Sequence, residues 1–336
     1  MITLITASLE EQGLEQLRRY GEVRYEPTAQ MRRLLSGSDL VQALRGVDIF
    51  VTEADPLTAR ELRELETLQA ICSCRGTPVN IDVAAATERG IPVLYAPGRN
   101  ADAVADLTVM LMIMLGRKVL PASSLLRDRE PGDDMLTMAR IYYELRGSEM
   151  WHKTVGIVGM GAVGRKVAAR LQPFGCSVIG YDPYVSQEVM SGSGVEKVEL
   201  DELLARSDYV TLHALVSEGT RGMIGARELA LMKPSAYFIN VARSALTDEA
   251  ALASTLGERR IAGAAFDVYD KEPLPLDHPF LALDNVILLP HIGGNTREVT
   301  EHQTEIIVPD LIRLISGERP RYVVNPEVLN SFTFRA

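Results

Sequence analysis

The chain has 336 residues, 46% hydrophobic and 24% charged, which excludes a disordered protein and leaves room for two domains of ~100–200 residues. Its 35 Lys and Arg against 45 Asp and Glu give a net charge of −10. That balance argues against general nucleic-acid or anionic-membrane binding, which needs basic patches.

In chain order, the start has no basic flank, and Glu10 and Glu11 end its apolar run, so no export signal is expected. Strands are expected at Ile2–Thr6, Val23–Tyr25, Val47–Thr52, Leu68–Ser73 and Ile91–Tyr95. Between them fall helices at Leu9–Tyr20, Thr58–Leu65 and Val83–Arg89, the last with Asp82 as N-cap and Gly90 as stop. The cysteines, Cys72, Cys74 and Cys176, are too few for a disulfide framework and read as reduced thiols of a cytoplasmic protein. A helix at Ala103–Lys118 is apolar nearly all round and should be buried on most sides, with a second subunit as a candidate cover. Its run Leu107–Gly116 is ten residues, short of the ~20 that a membrane span needs. Pro121, Pro131-Gly132 and Gly147 break the stretch Leu120–Lys153, which reads as a connector.

A second series follows, with strands at Thr154–Val158, Ser177–Tyr181, Tyr209–His213, Tyr237–Val241, Gly263–Val268 and Val286–Leu289, and a closing helix from about Arg297 to Ser316. Strands alternating with helices predict an α/β fold with parallel sheets, and two such series predict two α/β domains.

Three features carry chemistry. The first is Gly159-Met-Gly161-Ala-Val-Gly164, which follows an apolar strand and opens a helix; Asp182 ends the next strand 18 residues past Gly164. In that context the glycines read as a dinucleotide fingerprint: a tight turn, a close backbone approach to the pyrophosphate, and close helix–strand packing. Asp182 would hydrogen-bond a ribose 2′-hydroxyl and repel a 2′-phosphate, which selects NAD. The second is a trio of ionisable groups placed just after strands, Arg243, Glu272 and His291. Ligands bind outside the carboxyl ends of such strands, so the three can converge on one crevice. There Arg243 would hold a carboxylate, His291 would exchange a proton, and Glu272 would orient the ring. The third is a pair of cations, Arg75 and Arg99, on strand-end loops. They suggest a second anionic or strongly polar group on the substrate, a phosphorylated or polyhydroxylated acid; the bland alternative pairs Arg99 with Asp102. His152, His278 and His302 read as solvated, and no cluster has metal-ligand spacing.

With these residues stand Ser73-Cys-Arg-Gly76-Thr-Pro-Val-Asn-Ile-Asp82 and the segment Glu88 to Asp106. Together, from about Leu68 to Val324, the sequence resembles the NAD-dependent D-2-hydroxyacid dehydrogenases, which include 3-phosphoglycerate, D-lactate and glyoxylate/hydroxypyruvate dehydrogenases. The resemblance implies that Arg243, Glu272 and His291 are catalytic. It implies NAD contacts at Gly159, Gly161, Ala162, Val163, Gly164, Asp182, His213, Val241, Ala242, Arg243, Asp267, His291, Gly293 and Gly294, with Asp267 facing the nicotinamide amide. It implies substrate contacts at Arg75, Gly76, Thr77, Arg99 and Asn100, the Gly76 and Thr77 amides gripping the carboxylate. A Rossmann cofactor domain at 105–297 would be inserted into a flavodoxin-like substrate domain at 1–104 and 298–336. The expected function is hydride transfer at C2 of a D-2-hydroxy acid by a homodimer joined through the cofactor domain. The alternatives are an NAD-sensing corepressor without turnover and oxidation of formate or phosphite, Glu272 weighing against formate. Asp106, Ala214 and Ser244 depart from the usual pattern of Glu, Pro and Gly.

Overall fold

The computed structural model describes residues 1–127 and 135–335, so the Pro131-Gly132 break expected above lies outside the described residues. It divides into two compact units: Met1–Asn100 with the segment from Asn295 onward, and Ala101–Gly294.

The first unit is built on five parallel strands, β1 (Ile2–Ile5), β2 (Glu22–Tyr25), β3 (Ile49–Thr52), β4 (Ala70–Ser73) and β5 (Val93–Tyr95), in the order β2-β1-β3-β4-β5. That is a flavodoxin-like order. Helices cover both faces, so alternate residues of β1, β3, β4 and β5 are buried on opposite sides, while the edge strand β2 has no buried residue. Leu4, Phe50, Ile71 and Val93 enter one core, and Ile5, Ile49, Val51, Cys72 and Leu94 the other. Burial on both faces is why these strands read as nearly unbroken apolar runs. The helix α1 (Glu11–Arg18) lies on the second face. The expected cap of the helix Val83–Glu88 is present: Asp82 Oδ1 accepts the Ala85 amide at 3.0 Å.

The second unit begins with α2 (Ala101–Gly116). Its sheet has seven parallel strands: β6 (Thr154–Val158), β7 (Ser177–Tyr181), β8 (Glu196–Lys197), β9 (Tyr209–Leu212), β10 (Tyr237–Asn240), β11 (Gly263–Phe266) and β12 (Val286–Leu288). Their order, β12-β11-β10-β9-β6-β7-β8, reverses between β6 and β9, the place where doubly wound sheets bind ligands. The helix α3 (Ala162–Leu171) follows β6 and α4 (Glu249–Gly257) follows β10. The last long helix, α5 (Glu298–Ile315), belongs to the first unit and supplies Ile307, Val308, Leu311 and Leu314 to its core beside Leu14 and Leu17 of α1.

One expectation is met within the unit and another needs correction. The apolar helix α2 is covered mostly by its own unit: Val104, Ala105, Val109, Leu111, Met112 and Leu115 are buried in one core with β6, β10 and α3 residues. The stretch read as a connector instead contains the helices Val119–Arg127 and Met135–Glu144. On the latter, Met135 and Leu136 are each 83% exposed and Tyr142 72%. Exposed apolar side chains thus lie on this helix as well as at Met110 of α2, which is 40% exposed.

Candidate active site

The glycine turn after β6 has the constraints that its residue types suggest. Gly159 has φ +95°, a left-handed conformation that glycine alone adopts readily. A Cβ on Gly159 would also lie 2.5 Å from the Ala214 nitrogen, and one on Gly164 would lie 2.1 Å from the Gly159 carbonyl oxygen. Gly161 differs: a Cβ there meets nothing within 4 Å, so its bareness serves something other than packing. Gly161 is also the N-cap of α3 and gives it no side-chain cap. The amides of Ala162, Val163 and Gly164 in the first turn are therefore available to an anion, where the helix dipole favours one. Asp182, just past β7, accepts the Met160 amide at 2.9 Å and the Tyr184 amide at 2.9 Å, which ties its carboxylate to the glycine turn. An open cradle, free amides and a fixed carboxylate fit a dinucleotide with an unphosphorylated ribose.

The three ionisable groups follow three adjacent strands. Arg243 stands after β10, Asp267 and Glu272 after β11, and His291 after β12. Glu272 Oε2 and His291 Nδ1 are 2.7 Å apart. The other carboxylate oxygen, Oε1, accepts the Tyr269 amide at 3.1 Å. His291 has φ +58°, an uncommon backbone for a residue with a side chain that persists only where the surroundings impose it. Here both flanks are held. Asp267, 1% exposed, accepts the Ile292 amide at 2.8 Å and the Gly293 amide at 2.7 Å. The Tyr269 hydroxyl donates to the Leu289 carbonyl at 2.9 Å. Burial pushes that phenol up to about 12, so it remains a donor at any working pH.

Arg243 is exposed and donates to the Ala242 carbonyl at 2.6 Å. Its loop is set by Asn240, a buried residue that the sequence does not single out. Asn240 Oδ1 accepts the Ala242 amide at 3.1 Å and Nδ2 donates to the Arg243 carbonyl at 2.9 Å. Val241 is buried beside it. His213, after β9, hydrogen-bonds Thr211 Oγ1 through Nε2 at 3.0 Å, and desolvation lowers its pKa to about 3. A ring that stays neutral suits packing against a cofactor better than proton exchange. Gly294 closes this unit.

In the first unit, Gly76 and Thr77 are exposed on the loop after β4. Arg75 donates to the Glu53 carbonyl at 3.3 Å. Arg99, next to Asn100, binds the Glu53 carboxylate at 2.6 Å and also hydrogen-bonds Gln303. Asp102 is taken instead by Lys166 and Arg170, at 2.8 and 2.9 Å, which hold its carboxyl below the usual range. The expected alternative partner of Arg99 is thus corrected to Glu53, and the charge of Arg99 is matched within its own unit. Two histidines read as solvated are not: His278 is 12% exposed in a pair with Glu249, and His302 Nδ1 hydrogen-bonds the Arg99 carbonyl at 2.9 Å.

Residues 109–293 match the family model described as D-isomer specific 2-hydroxyacid dehydrogenase, NAD binding domain. The chain is 35% identical over 333 residues to the glyoxylate reductase of Thermococcus litoralis, covering 97% of each. It is 36% identical over 324 residues to the D-3-phosphoglycerate dehydrogenase of Methanocaldococcus jannaschii, covering 96% of this chain and 59% of that one. The chain thus spans little more than half the length of that relative. Among solved structures, the glyoxylate reductase of Paecilomyes thermophila superposes with a TM-score of 0.79 at 27% identity, covering 97% of this chain and 98% of that one. Among the described residues, no helix is long and apolar enough to cross a membrane.

Proposed function

The chain belongs to the D-isomer specific 2-hydroxyacid dehydrogenase family, whose members are NAD-dependent enzymes, and from that membership we propose that it interconverts a D-2-hydroxy acid and its 2-oxo acid. The observation that carries this reading is the 2.7 Å contact between Glu272 and His291, at the carboxyl edge of the sheet that bears the glycine turn. When bound, the nicotinamide supplies or accepts the hydride at C2. The residues do the rest. With Nδ1 engaged by Glu272, Nε2 of His291 is the nitrogen left to give a proton to the carbonyl oxygen in reduction. In oxidation the same nitrogen takes the proton of the hydroxyl. Arg243 pairs with the substrate carboxylate through its planar fork and polarises the neighbouring carbonyl. The unit Ala101–Gly294 would hold NAD.

For the acid itself, the guanidinium of Arg75 on the loop after β4 supports a phosphorylated or polyhydroxylated substrate over a plain one. Assembly as a homodimer is supported by the exposed apolar side chains of the helix Met135–Glu144.

Initial rates with NADH and NADPH across glyoxylate, pyruvate, hydroxypyruvate and phosphohydroxypyruvate test the reading. NADH should be favoured over NADPH by more than about tenfold in kcat/KM, or ~1.4 kcal/mol, and Asp182→Ala should erase most of that preference. Turnover of none of the acids would remove the proposal; equal use of both cofactors would remove the role of Asp182.

A further inference from the structure

A second histidine–glutamate pair lies outside the residues assigned so far. Glu249 opens α4, and its side chain is 15% exposed. The helix does not need it as a cap, because Asp248 Oδ1 already accepts the Ala251 amide at 3.0 Å. Glu249 reaches away from the helix instead. Its Oε2 accepts the Asp270 amide at 3.0 Å, and its Oε1 hydrogen-bonds His278 Nε2. The other ring nitrogen, Nδ1, accepts the Phe280 amide at 3.2 Å. That bond leaves Nε2 to carry the proton toward the carboxylate. A largely buried carboxylate is stable only with its oxygens paired, and both are paired here.

Asp270 lies two residues before Glu272. The adjacent amides of Tyr269 and Asp270 are thus taken by two different glutamates: Glu272, which also touches His291, and Glu249, which is rooted in α4. We propose that Glu249, oriented by His278, is a positioning residue that fixes the loop from which Glu272 reaches His291. The inference rests on the reading of Glu272 and His291 as the acid–base couple. Displacing reacting groups by about 1 Å costs on the order of 10²-fold, so a loop released at Asp270 should slow proton transfer and spare cofactor binding.

The test uses the holoenzyme with NADH and the fastest 2-oxo acid of the panel above. Glu249→Ala should lower kcat by about ten- to a hundredfold and leave the KM for NADH unchanged. Glu249→Gln, which keeps an oxygen for the Asp270 amide, should recover most of the loss. In a Glu272→Ala background, Glu249→Ala should cost almost nothing more, because residues that act through one another are non-additive. Equal fold losses in both backgrounds, or a lower thermal midpoint with unchanged kcat, would overturn the proposal. Should Glu249→Ala not fold, His278→Gln in both backgrounds makes the same comparison. A wild-type protein inactive on every acid overturns the acid–base couple and this inference with it, whereas additive losses in an active enzyme overturn this inference alone.

Discussion

At the scale of a single residue, the half-buried His213 ties stability to pH. Its folded-state pKa is about 3, against 6.5 in a free side chain. Below about 6.5 the unfolded chain binds a proton that the folded chain refuses. Stability should therefore fall as pH falls from about 6.5 toward 3, at a limiting slope of ~1.4 kcal/mol per pH unit. Urea midpoints at pH 7 and pH 5 should show that loss in the wild type and a shallower one in His213→Gln; identical losses would assign it to other groups. His291 has the opposite character, being exposed and hydrogen-bonded to a carboxylate. His291→Asn should reduce kcat by roughly 10²–10⁴, the range for a general acid–base group, with little change in thermal midpoint. A smaller kinetic effect with chemistry rate-limiting would move the proton transfer elsewhere.

At the scale of elements, the glycine turn separates two effects that usually travel together. A Cβ at Gly164 would strike the Gly159 carbonyl, while one at Gly161 meets no protein atom within 4 Å. Gly164→Ala should lower both the thermal midpoint and the affinity for NADH. Gly161→Ala should leave the midpoint unchanged and still weaken NADH at least about tenfold, since the new methyl occupies the backbone's line of approach to the pyrophosphate. Fluorescence titration beside thermal unfolding decides the matter; wild-type affinity in Gly161→Ala would contradict the placement of the phosphates. The turn and the strands are legible in the sequence because buried parallel strands are apolar runs and the glycines stand at fixed spacing. Other elements are not. The edge strand β8 is two charged residues, Glu196 and Lys197, with no apolar signal. Pro121 reads as a breaker, yet it falls in the first turn of the helix Val119–Arg127, where a missing amide hydrogen breaks no bond. For the site, Arg243, Glu272 and His291 stand out by type and position. Asn240, Glu249 and Tyr269 do not, because they act through backbone groups whose proximity only folding creates.

For the whole molecule, assembly is the open quantity with a direct measurement. The helix Met135–Glu144 exposes Met135, Leu136, Tyr142 and Tyr143 by 66% or more, and soluble monomers rarely leave large apolar patches uncovered. Light scattering at micromolar concentration should give a dimer, and the double substitution Tyr142→Asp, Tyr143→Asp should shift it toward monomer. A wild-type monomer would end the dimer proposal.

The helix α5 has a consequence for how the protein is made. Its residues Ile307, Val308, Leu311 and Leu314 complete a core begun by Ile5, Leu14 and Val51, yet all of Ala101–Gly294 is translated between them. At roughly 5–20 residues per second, the ribosome leaves one apolar face of the nascent five-stranded sheet covered only in part, by α1, for some ten seconds or more. The inserted unit meanwhile has every strand it needs and can close first. The unit whose synthesis starts first is thus the one that finishes last, and the interval before α5 emerges is when the chain is most exposed to aggregation or to a holding chaperone.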